Sequence, residues 1–119
     1  MRMAKEEPGP SNAEEEVQIT FVMSKDGKKR TIPVWFTVNQ GNMELLPMYG
    51  LKTKWFAEVE KSGELSLQVK GWKRDATPRI TRQTVEVENV KARFSRKYGE
   101  TQVRKYYPTL DVALEIPLR

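Results

Sequence analysis

Four stretches of this chain alternate apolar and polar residues with a period of two, and that alternation limits the possible folds more than any other feature. Val17, Ile19, Phe21 and Met23 alternate with Gln18, Thr20 and Ser24, and Ile32, Val34, Phe36 and Val38 alternate with Thr31, Pro33, Trp35 and Thr37. Leu65, Leu67 and Val69 follow the same rule, as do Leu110, Val112, Leu114 and Ile116. Successive side chains of a strand point to opposite faces, so each stretch reads as a strand with one buried face. Asp26-Gly27 and Asn39-Gln40-Gly41-Asn42 are turn sequences of the kind that join antiparallel neighbours, and Met43 to Met48 reads as a third strand. Pro33 has no N–H to give a ladder, which places its strand at an edge or a bulge.

Two helices interrupt the strands. Leu51, Trp55, Phe56 and Val59 recur at helical spacing between Gly50 and Gly63, with Gly63 positioned to end the helix. Asn89 is expected to cap a second helix that carries Val90 and Phe94 and stops at Gly99, followed by a short helical or irregular piece that Pro108 breaks. Lys73 to Glu88 is expected to form one bent strand or two, broken near Thr77-Pro78. The order is three strands, a helix, two or three strands, a helix and a final strand. Consecutive antiparallel strands with few covering helices favour a small barrel, in which closure removes the edges. An OB-fold and the split barrel of flavin enzymes both open this way. An OB-fold is complete at its fifth strand, near Glu88; the helix and strand that follow are accounted for by the split barrel.

The chain of 119 residues has room for one domain. It holds no cysteine and no histidine, which excludes disulfides, thiolate nucleophiles, imidazole-based triads and the usual zinc ligands. No carboxylate pair is placed for glycosidase or metal work, so no metal is expected. Residues 1–16 carry two basic and five acidic groups, net −3, with Pro8, Gly9 and Pro10 among them. They are expected to form a disordered acidic tail, with the domain proper spanning 17–119. That remainder carries 19 basic and 11 acidic groups, net +8, which favours an anionic partner. No apolar run approaches bilayer length and no signal peptide is visible, so the expected compartment is the cytoplasm, with no membrane partner.

Three segments could carry chemistry. The turn Lys25-Asp26-Gly27-Lys28-Lys29-Arg30 runs into a strand whose second face presents Pro33 and Trp35. Cations beside exposed backbone can clamp a phosphate, while the bland alternative is a solvated hairpin tip with edge-protecting lysines. The segment Pro47-Met48-Tyr49-Gly50 leads into a helix start, where unpaired backbone N–H groups attract anions and Lys52 and Thr53 add a charge and a hydroxyl. Trp55 at that position is equally a core residue. Lys70-Gly71-Trp72-Lys73-Arg74, with Arg79 and Arg82, interleaves cations and an aromatic in a manner that suits single-stranded nucleic acid, or simply a solvated strand face. No phosphate-loop or dinucleotide fingerprint occurs.

Taken together, Gly27-Lys28-Lys29-Arg30-Thr31-Ile32-Pro33-Val34-Trp35-Phe36, Leu45-Leu46-Pro47-Met48-Tyr49-Gly50 with Thr53 and Trp55, and Tyr98-Gly99 with Lys105-Tyr106-Tyr107-Pro108 and Asp111-Val112 resemble the deazaflavin-dependent nitroreductase-like branch of the flavin (pyridoxamine-phosphate-oxidase-like) split-barrel superfamily. The resemblance runs from Val17 to Leu118. It implies a mainly β fold with two helices, a six-stranded antiparallel split barrel like that of FMN-binding proteins, binding the deazaflavin coenzyme F-420 or FMN. Lys28, Lys29, Arg30, Lys52 and Thr53 would hold the cofactor's anionic tail, and Pro33, Trp35, Pro47, Met48 and Tyr49 would border its ring. The activity implied is an oxidoreductase passing hydride to a small organic electron acceptor, or else a cofactor carrier, with no catalytic side chain that can be named. The open side of such a barrel implies a homodimer. The alternative reading is a basic, OB-like barrel that binds single-stranded nucleic acid.

Overall fold

A computed structural model describes residues 9–118. The first strand, β1 (Glu16–Val22), buries Val17, Ile19 and Phe21 and turns at Gly27, whose φ of +70° suits a residue without Cβ. It pairs antiparallel with β2 (Lys29–Trp35), matching Ile19 with Ile32 and Phe21 with Arg30. The chain breaks at Phe36 and continues as β3 (Thr37–Asn39). Gln40 and Gly41 both take positive φ, 51° and 81°, the signature of a type I′ turn, and return the chain as β4 (Asn42–Leu45). A 3-10 turn (Gly50–Lys52) precedes α1 (Lys54–Ser62), which buries Trp55, Phe56 and Val59 and ends at left-handed Gly63. Next come β5 (Leu65–Val69), β6 (Trp72–Ala76), β7 (Arg79–Thr81), α2 (Thr84–Tyr98), α3 (Glu100–Tyr106) and β8 (Ala113–Pro117).

The strands form two four-stranded antiparallel sheets, ordered β2-β1-β5-β6 and β3-β4-β8-β7. The alternating residues of both sheets meet with α1 in one core, which includes Ile19, Phe36, Met43, Phe56, Leu67 and Ile116. A second cluster lies where α2 and α3 cover the other sheet, joining Leu46, Val87, Val90, Phe94, Val103, Tyr107 and Ala113. As expected for a strand carrying Pro33, β2 lies at a sheet edge.

Three expectations need correction. Among the described residues the strand segments number eight, not six, because Phe36 and Thr77-Pro78 each break a long strand into one piece per sheet. The helices of the described residues number three, since residues 100–106 form α3. Thr84 to Glu88 is the first turn of α2, so Asn89 lies inside that helix and caps nothing. Burial of Val87, Val90 and Phe94 along one helical face outweighs the β-preference of Thr84, Val85 and Val87.

Residues 1–8 lie outside the described residues, and with them the first half of the expected acidic tail. Over its second half the chain makes defined contacts. Asn12 exchanges two hydrogen bonds with the Val38 backbone, at 2.9 and 2.7 Å, and Glu14 pairs with Lys70 at 3.4 Å.

Candidate functional site

The cationic hairpin rests against α1. The Ser24 amide donates to Glu58 Oε1 at 2.9 Å, and the Lys61 amine reaches Ser24 Oγ at 3.3 Å. That amide holds the Glu58 carboxyl below the usual range. Glu58 is four residues past Lys54, so the hairpin tip meets α1 about 6 Å along the axis from its first residue. Directly paired residues share a face, so Arg30 lies on the side of Phe21 and the core, while Lys29, opposite Val22, lies on the outer side. Lys28, Lys29 and Arg30 are exposed, and no carboxylate among the described residues lies within ion-pair distance of them.

The second group of expected residues surrounds the approach to α1. Pro47 and Thr53 are buried, Met48 is half-buried, and Tyr49 and Lys52 are exposed. The amides around the 3-10 turn are engaged internally, contrary to the expectation of open donors past Gly50. Tyr49 N–H donates to Thr53 Oγ1, Gly50 N–H to the Pro47 carbonyl, Leu51 N–H to Asp111 Oδ1 and Thr53 N–H to the Gly50 carbonyl. The donors that remain are one step further on. Thr53 makes no side-chain cap to α1, whose first turn holds no acidic residue, and the amides of Lys54, Trp55 and Phe56 have no partner among the described residues. With Lys52 and Lys54 beside them, this donor set suits an acceptor-only group such as a phosphate. Lys54 was not marked by the sequence; only the true position of the helix start reveals it.

Trp35 and Met48, one from each group, both pack on the second cluster. Trp35 stacks on Tyr98 at 4.1 Å with planes 6° apart, and meets Tyr106 edge-on at 5.7 Å. One indole face is therefore covered from within. Pro33 lies exposed on β2, two residues away.

Tyr98 also mends the break between β2 and β3. Its hydroxyl accepts from Phe36 N–H at 3.0 Å, and its one proton serves either the Glu15 carbonyl at 2.7 Å or that of Phe36 at 2.9 Å. Burial pushes this phenol up to about 12, and burial raises Tyr107 as well. Beneath α2, the wholly buried Glu44 receives Arg93 through two nitrogens, at 2.9 and 2.6 Å, and the Thr37 hydroxyl at 2.7 Å.

The third basic segment is largely engaged with the chain itself. Arg79 pairs with Glu115 and Glu86, Arg82 with Glu60 and Lys70 with Glu14. The Arg74 guanidinium covers the Trp72 ring at 5.4 Å and reaches the Pro117 carbonyl.

No family model and no curated protein sequence matches the chain, but solved structures do. An F420-H2 dependent reductase is similar with a TM-score of 0.65 and 19% identity, over 85% of this chain and 92% of that one. A domain-swapped dimer matches with a TM-score of 0.66 and 20% identity, over 85% and 78%. HutZ, a heme storage protein from Vibrio cholerae, matches with a TM-score of 0.65 and 15% identity, over 88% and 82%. The chain has the fold of the flavin-binding split barrels. At these identities the likeness extends to the fold, and the ligand must be argued from residues. Among the described residues no helix is long and apolar enough to cross a membrane, and no cluster of acidic residues is arranged to hold a metal.

Proposed function

We propose that this split barrel binds a flavin-type cofactor, the deazaflavin coenzyme F-420 or FMN, and serves as an oxidoreductase toward a small organic acceptor. The observation that carries this reading is the set of unpaired donors on one barrel: Lys28 and Arg30 on the hairpin beside α1, and Lys52, Lys54 and three open amides at the start of α1. Such a set matches the phosphate common to both cofactors. Thr53, whose oxygen already accepts from Tyr49, would shape the helix start instead of contacting the phosphate. Pro33, Trp35, Pro47, Met48 and Tyr49 remain the residues proposed to border the ring, and Lys29 would act through long-range charge.

Hydride transfer is the chemistry such a cofactor supplies when bound. The chain's own part is to fix the phosphate, to orient the ring against the strand faces and to keep water from one side of it. One neighbour of this fold is a heme storage protein, but this sequence lacks histidine and cysteine, the commonest heme ligands, and has only tyrosine and methionine to offer in their place. A homodimer fits the exposed Tyr49 and Leu51 beside the proposed site, and one neighbour of this fold is a domain-swapped dimer.

Fluorescence titration of the purified protein with F-420 and with FMN tests the reading. Binding at about micromolar affinity or better, weakened in Arg30→Ala, supports it. No binding of either cofactor, together with a salt-sensitive gel shift of a single-stranded oligonucleotide, would overturn it in favour of nucleic acid.

A further inference from the structure

Lys97, next to last in α2, is held in an unusual setting for a lysine. Its amine donates to the Phe36 carbonyl at 2.7 Å, lies 3.9 Å from the Phe36 ring centre and 5.0 Å from that of Tyr98. Among the described residues no carboxylate comes within ion-pair distance. The side chain lines an open cavity of about 440 Å³ together with Trp35, Tyr98, Gln102 and residues 12–15. It is therefore a half-desolvated amine with an approach from solvent and aromatic walls.

We propose that Lys97 is a covalent capture site for small aromatic aldehydes. The amine nitrogen adds to the carbonyl carbon, forming a C–N bond as the carbonyl π pair becomes a hydroxyl. Two protons pass from nitrogen to that oxygen, one at addition and one as water departs, and a C=N bond remains. No redox partner is needed, since neither carbon nor nitrogen exchanges electrons with a third reagent. Attack requires the neutral amine, and burial lowers Lys97 to about 8. Glu14 and Glu15, on the segment facing it, pull the other way, and Tyr98 stays uncharged through this range. Trp35 and Tyr98 offer the aromatic surface that selects a flat, apolar substituent. The proposal does not depend on the flavin reading, although Trp35 is common to both sites.

The test is reductive trapping of benzaldehyde with cyanoborohydride at pH 7.5, read by peptide mass mapping. Lys97 should be modified roughly tenfold faster than the exposed Lys52 and Lys73, the lowered basicity of a partly desolvated amine raising its reactive fraction. The labelling rate at Lys97 should reach half its maximum near pH 8. Lys97→Arg, checked for folding by circular dichroism, should abolish the preferred label and leave the others unchanged. Modification of Lys97 no faster than of Lys52 and Lys73 in the native protein would overturn the proposal, whatever that variant does.

Discussion

Replacing Arg93 by methionine tests how the helical layer is anchored to the barrel. Glu44 has no exposed surface, and its carboxylate is satisfied by two guanidinium nitrogens and one threonine hydroxyl. Methionine preserves most of the stem's packing and leaves Glu44 with Thr37 alone. Breaking a buried pair in this way costs about 3–5 kcal/mol, and the lower figure applies here because the Arg93 side chain keeps 26% of its surface in water. With a urea m-value of about 2 kcal/mol/M for a chain of this size, the unfolding midpoint should fall by about 1.5 M. The double variant Glu44→Leu with Arg93→Met removes the stranded charge and should recover most of the loss, as a double-mutant cycle would show. A loss below about 1 kcal/mol for Arg93→Met, or a double variant no more stable than the single one, would refute the reasoning.

Other outcomes follow from the same geometry. Gly50→Ala should cost about 1–3 kcal/mol by thermal melting, because φ is +59° and a Cβ would press on the Asp111 carboxylate and approach Thr109 Cγ2 to 3.0 Å. Arg30→Ala should weaken cofactor binding about tenfold or more, the worth of a charge-assisted hydrogen bond, and Lys29→Ala, on the outer face, by clearly less. Stability should change sign in its response to alkali. Burial lowers Lys97 from the ordinary 10.5 to about 8, so the unfolded chain binds more protons between these values and stability rises with pH there. Tyr98 is held near 12 against the ordinary 10.0, so the native state keeps a proton that the unfolded chain loses, and stability falls from pH 10 to 12. Both groups are partly exposed, which limits each effect to the order of 1 kcal/mol; Tyr98→Phe should lessen the alkaline fall in chemical denaturation curves, to which the buried Tyr107 also contributes.

Much of the architecture is written in local pattern. The apolar rows of β1 and β5, the turns at Gly27 and Gln40-Gly41, and the stop at Gly63 depend on near neighbours and occur where the sequence places them, whereas the row from Ile32 to Val38 is split at Phe36 and only Leu114 and Ile116 of the last row lie in β8. The start of α2 was not legible, because Thr84-Val85-Glu86-Val87 satisfies a strand template as readily as a helical one until the second cluster is known. Nothing in the sequence marks Glu44, between Met43 and Leu45; only Arg93, 49 residues on, makes its burial intelligible. The same holds at the candidate site. Asp111 reaches Leu51 across 60 residues, so the donors left open lie at Lys54 to Phe56 instead of at the glycine.

The corner at Trp35-Phe36-Thr37 belongs to one sheet on its upstream side and to the other downstream. Substitutions there alter a local contact, whereas a change of length would not stay local. Adding or deleting a single residue would turn Val38 away from the interior and misalign Thr37 with Glu44, and the exchange of hydrogen bonds with Tyr98 would lose its partner. Homologous chains that keep this barrel should therefore hold the residue count of the corner constant, with insertions displaced to the hairpin tips.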